Sequence, residues 1–244
     1  MDMKTKLEFL KEKIEEMRKT RMHDTGKLIA EVAKKHLVSQ WAETPAEALV
    51  NTVLAIRQRW TETVEPRLDA FRRNYPHIRT IYNLKKLIES MSEYDFCDKV
   101  FDMKIKEIPN RRYEMLKGMI TSFIQYQKKK EFTSDYEAMK DWAKNCDLSN
   151  LGDDIVGKIH NVGLATVQNL RICLGINTLK PDVHVKRALD EVGLGNDVEV
   201  CELISELTEY SPLELDQIFW HWDKDRSEKD EITEEEFKKL KPLS

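Results

Sequence analysis

Apolar residues recur along this chain at intervals of three and four, the spacing of one face of a helix. Over residues 1–20, Leu7, Leu10, Ile14 and Met17 form one stripe, and Lys and Glu fill the opposite face. Thr25 and Gly26 break that run, and a second, over 27–37, carries Leu28, Ile29, Val32 and Ala33. Thr44-Pro45-Ala46-Glu47 has the chemistry of a helix start: a capping Thr, Pro at the first position, Glu at the third. Leu49, Val50, Val53, Leu54 and Ile56 carry this helix to Arg57-Gln58-Arg59-Trp60, and a further run opens at Thr63-Val64-Glu65-Pro66. Helices are expected near 82–91 and 94–101, and from Asn110-Arg111-Arg112 through Ile124. More follow at 135–144, 151–159, 164–174, 183–192 and 198–207. Ser211-Pro212 repeats the cap-and-Pro start. Alternating strand patterns are few, so the fold class predicted is all-α.

With 244 residues the chain can bury a core as one domain or two small ones, and only 8 Gly and 7 Pro agree with helices joined by short turns. The net charge of −4 changes the functional picture. A nonspecific nucleic-acid coat would be basic, so any contact with nucleic acid has to come from a local patch. From 99 to 130 basic residues outnumber acidic ones. There Arg111, Arg112, Lys117 and Lys128-Lys129-Lys130 are candidates for phosphate contacts, though the Lys triplet reads better as a solvated helix end. Cys97, Cys146, Cys173 and Cys201 lie far apart with no C-x-x-C pair, which disfavours a zinc ribbon. No apolar run has membrane-spanning length and no signal peptide is visible, so an intracellular protein with reduced thiols and no membrane partner is expected. Asp223 to Glu234 looks like a calcium loop, but Glu228 stands where the turn needs Gly; a charged linker and a short last helix are expected instead.

The chemistry concentrates between 155 and 189. Ile159-His160-Asn161-Val162-Gly163 forms a tight turn between two helical runs. Asn161 and Gly163 both tolerate the positive φ that such a hairpin demands. The helix after it, with Ala165 and Thr166 in its first turn, starts with free backbone N–H groups and so offers a site for a phosphate. Pro181-Asp182-Val183-His184-Val185-Lys186-Arg187 then opens another helix. Asp182 can cap that helix or do chemistry; His184 reads as a packing or hydrogen-bonding residue, and Lys186 and Arg187 can reach a phosphate backbone.

The hairpin followed by D-V-H-V-K-R resembles the helix-hairpin-helix DNA glycosylases, the superfamily of endonuclease III and the adenine glycosylase MutY. Their hairpin reads L-P-G-V-G, and an aspartate in a V-D-x-H-V-x-R context follows at a similar separation. Here the hairpin lacks that Pro and the first Gly. The resemblance covers about residues 46–222 and extends to Gln58 before T-V-E-P, to the Asn110 helix and to the late helix at Pro212. It implies two helical lobes with a DNA-binding cleft between them. One lobe, of six helices, spans 46–164 and ends in the hairpin. The second combines 1–45 with 165–235, leaving 236–244 as a tail.

The activity implied is removal of a damaged or mismatched base from double-stranded DNA after the nucleotide is flipped out. Asp182 would be the catalytic carboxylate that stabilises positive charge on the sugar and orients water. Asn161, Gly163, Ala165, Thr166 and Lys186 would hold the DNA backbone. Gln58, with Arg57 beside it, would enter the gap left by the flipped base; a charged helix end with one packed Trp is the competing reading there. Bifunctional relatives carry a lysine where this chain has Ala165, and Lys158 is not equivalent, so a monofunctional enzyme is expected. No cysteine follows Cys201, so no iron–sulfur cluster is expected, and the only candidate cofactor is a monovalent cation at the hairpin. A monomer is expected. Two other readings stay open: a helix-hairpin-helix protein that binds DNA without catalysis, and a bifunctional glycosylase with a displaced lysine. Trp41, Trp60, Tyr113, Trp142, Phe219 and Trp220 are the aromatics that could stack on a base, and each could equally be core.

Overall fold

A computed structural model describes residues 3–38, 42–56, 58, 60–105, 108–191 and 210–229. The described residues are mostly helical and contain no strand, so the fold class is all-α. None of their helices is long and apolar enough to cross a membrane. The chain divides into two compact units, Met1–Ser39 with Thr178–Ser244, and Gln40–Asn177.

The unit of residues 40–177 is built on α3 (Pro45–Leu54), every residue of which is buried. Its start follows the sequence signal: Pro45 occupies the first turn and the Thr44 hydroxyl accepts the Glu47 N–H at 3.2 Å. Packed against α3 are α4 (Glu65–Asn74), α5 (Ile81–Glu89), α7 (Arg111–Lys129), α8 (Asp135–Asn145) and α9 (Leu164–Cys173); α6 (Glu93–Lys99) completes the unit. A π-helical turn, Trp60–Val64, leads into α4. Leu49, Val53, Phe96, Phe101, Phe123 and Trp142 lie in its core, with edge-on ring pairs Phe96–Phe101 and Phe123–Trp142. The Arg112 guanidinium turns inward and donates to the Val53 and Ile56 carbonyls, closing the C-terminal end of α3. That use removes Arg112 from the candidate phosphate contacts. Lys117 pairs with Glu114 at 3.3 Å.

The other unit joins α1 (Met3–Lys19) and α2 (Ile29–Val38) to α10 (Val183–Glu191) and α11 (Pro212–Lys229). Helix α11 packs against α1, α2 and α10. Leu10, Ile14 and Met17, the apolar stripe of the first helix, face Ile29, Ala33, Val185, Leu189, Leu215, Ile218 and Phe219. Ser211 caps α11 through the Glu214 N–H at 3.3 Å.

Three expectations change. The boundary expected after residue 164 falls after 177, because α9 packs on α3 and α8 and stays with them. Residues 223–229, expected as linker, continue α11, because Asp223 is held by side chains of α10. Residues 151–159 form successive turns and no α-helix. The helix expected at 198–207, the tail 236–244, Trp41 and Arg57 lie outside the described residues.

Phe219 is fully buried among the helices of its unit. Phe219→Ala should therefore destabilise that unit by about 3–5 kcal/mol, read as a lower urea midpoint.

Candidate functional site

The turn Ile159–Gly163 hangs from its apolar residues. Ile155, Ile159 and Val162 pack on the core, while His160, Asn161 and Gly163 are exposed. Ile159 reaches into the space left by Gly118 on α7, where an added Cβ would stand 3.0 Å from its Cγ2. Asn161 takes φ +68°, the left-handed conformation expected of it. Gly163 does not: at φ −117° and ψ 178° it is extended, and a Cβ there would meet nothing within 4 Å. Its service to the hairpin is an open surface.

Gly163 caps α9 without a side chain, and the N–H groups of Thr166 and Val167 are taken by the Gly163 carbonyl at 2.9 and 3.1 Å. The first turn of α9 thus presents its leading amides beside exposed backbone, the arrangement that suits a phosphate. Ala165 and Thr166 are half-buried there. In the first arm of the hairpin, one oxygen of Asp154 accepts the N–H groups of Val156 and Gly157, both at 2.8 Å, and the other accepts the Trp142 indole at 2.8 Å. Because Asp154 lies inside the run expected as helix, it takes amides that a helix from 151 would donate four residues back, and the arm is turned instead. Gly157 is required: a Cβ would stand 2.5 Å from the Leu151 carbonyl oxygen. Gln58 is exposed beyond the C-terminal end of α3.

The second cluster belongs to the other unit. Asp182 caps α10 twice over: its backbone carbonyl accepts the Lys186 N–H at 2.9 Å, and its Oδ1 accepts those of His184 and Val185 at 2.9 and 3.3 Å. Its Oδ2 lies 3.1 Å from the Lys180 Nζ, with both side chains 20% exposed. Burial pushes the Asp182 carboxyl up, but the Lys180 ammonium, His184, the Lys180 hydrogen bond and the Val185 N–H outweigh it and hold it below the usual carboxylate range. Asp216, buried in α11, accepts the Lys180 backbone N–H at 2.8 Å and the Gln217 amide at 3.1 Å. Burial drives Asp216 above the carboxylate range; Lys180 opposes this and Asp182 reinforces it. Burial acts on both carboxyls, and Asp182 alone has the Lys180 side chain against it.

Beside Asp182, the His184 Nδ1 lies 2.7 Å from the Asp223 carboxylate, which also accepts from Arg187 at 3.1 Å. The Trp220 ring packs on His184 with centroids 6.1 Å apart. Among the candidate stacking aromatics, Tyr113, Trp142 and Phe219 are core, and Trp60 and Trp220 are half-buried. Lys180, Asp216 and Asp223 were not distinguishable as site residues in the sequence. Only the late helix at Pro212 pointed toward Asp216; Asp223 fell in the expected linker, and no local signal marks Lys180.

No family model, curated protein or solved structure matches the chain.

The two hairpin glycines should respond oppositely. Gly157→Ala should cost about 1–3 kcal/mol of stability through overpacking, while Gly163→Ala should change it by less than about 0.5 kcal/mol. Urea unfolding of the two variants checks this.

Proposed function

We propose that the chain is a DNA N-glycosylase of base excision repair, acting on a damaged or mismatched base flipped out of duplex DNA. The observation that carries this reading is Asp182. It is an ionised, half-buried carboxylate in the D-V-H-V-K-R sequence that follows the hairpin. Rupture of an N-glycosidic bond develops positive charge on the sugar, and a carboxylate fixed beside it stabilises that charge and directs water to the carbon. In this reading the two helical units are the two lobes of the glycosylase fold. The exposed backbone at Asn161 and Gly163, the first turn of α9 with Ala165 and Thr166, and Lys186 hold phosphates. Gln58 fills the vacated space in the helix, Trp220 offers the flipped base a stacking face, and the reaction runs on water with no cofactor.

Asp182→Asn should keep the cap and remove the charge. Base release in single turnover should fall on the order of 10²–10⁴-fold while duplex binding persists. Near wild-type release would end the assignment of Asp182. Because the Asp182 carboxyl is held low, release should persist below the usual carboxylate range and be lost only as the pH falls through that lowered value. Gly163→Val, tolerated by the fold, should weaken binding by blocking the approach of a phosphate. Binding by the wild type should fall steeply with salt, as counterion release requires; a salt-independent affinity would refute the backbone contacts.

One observation favours the reading with a displaced lysine: Lys180 stands against Asp182. An ammonium in an ion pair is not a nucleophile, so we retain the monofunctional mechanism, with water attacking. The product should be an abasic strand that breaks only on heating with alkali. Borohydride trapping of the wild-type protein on substrate DNA would instead identify a lysine nucleophile.

A further inference from the structure

Lys180 is the residue that neither the hairpin nor the aspartate motif accounts for. Asp182 needs no cation in order to cap α10, since the His184 and Val185 N–H groups already satisfy Oδ1. Within the same chain the Asp147 side chain likewise caps a turn, accepting the Ser149 N–H and hydroxyl. Lys180 nevertheless brings its ammonium to the opposite oxygen, 3.1 Å away. The segment that carries it is fixed at several points. Asp216 and Gln217 form a hydrogen-bonded pair on α11, and Asp216 takes the Lys180 N–H. The Asp182 N–H returns to the Lys180 carbonyl at 2.7 Å, and the intervening Pro181 is buried with its φ set by its ring. A long side chain held this way loses rotamer freedom, and an exposed pair would return little for that loss. This pair is largely buried. Its ammonium faces Asp182 and lies within electrostatic reach of Asp216.

We propose that Lys180 is a positioning residue of the site, whose ammonium fixes the Oδ2 side of the Asp182 carboxylate and keeps that carboxylate ionised. The proposal takes the reacting carboxylate from the glycosylase reading above. The charged groups acting on Asp182 are Lys180 from its own segment, His184 from α10 and Asp216 from α11. Among them Lys180 is the one whose side chain touches an Asp182 carboxylate oxygen.

The test uses the full-length chain. The Asp182 carboxyl is titrated by carbon NMR in wild type, Lys180→Gln and Lys180→Arg, with Asp182→Asn identifying the resonance. Urea midpoints confirm folding. Lys180→Gln should raise the Asp182 midpoint, and Lys180→Arg should restore it toward wild type. The acid limb of single-turnover base release should move upward with the midpoint in Lys180→Gln, a displacement that simple loss of stability does not produce. An Asp182 midpoint unchanged in a folded Lys180→Gln protein overturns the proposal. If the midpoint moves as expected but the wild type releases no base from any duplex, Lys180 positions Asp182 and the glycosylase reading alone fails.

Discussion

The Lys180 N–H donated to the buried Asp216 carboxylate fastens the segment that delivers Asp182 to the surface of its unit. A carboxylate buried at 3% exposure is costly unless its oxygens are satisfied. Here one oxygen receives that N–H and the other the Gln217 amide. Leu179, next in the chain, is buried in the same helical core. The stretch before α10 is therefore tied down by an apolar anchor, a buried Pro and a buried hydrogen bond, and Asp182 inherits its orientation from all of them. Capping then completes the placement, because the side-chain oxygen that accepts the first amides of α10 can do so in few rotamers.

Much of this was legible in the sequence where the signal is local. Thr44-Pro45 and Ser211-Pro212 start helices as their chemistry requires, and the stripe Leu10, Ile14, Met17 is the buried face of α1. Asp182 could be singled out because capping is a matter of adjacent residues. Its partners could not. Asp216 meets Lys180, and Asp223 meets His184, through the packing of α11 on α10, and nothing in the intervening sequence specifies which acidic residue of α11 will face inward. The same packing explains why 223–229, with no apolar residue to mark a buried face, remains helical.

The first arm of the hairpin misleads for a different reason. Ile155 and Ile159 have helical spacing, and both do pack inward. The residues between them decide the backbone. Asp154 claims the amides of Val156 and Gly157, and Gly157 admits a contact with the Leu151 carbonyl that excludes any side chain. Burial of the same apolar residues is reached by turns, so periodicity located the inward face but not the backbone conformation.

The cap and the ion pair together restrict what Asp182 can do. Its Oδ1 is committed to two amides and its Oδ2 to the Lys180 ammonium. In the proposed reaction, the positive charge developing on the sugar would meet a carboxylate that already has a counter-ion. It would have to share or displace Lys180, because the amides are part of α10 and cannot leave. The cap on one oxygen and the cation on the other thus hold the carboxylate ionised, and in the proposed reaction the sugar would approach it from the Oδ2 side.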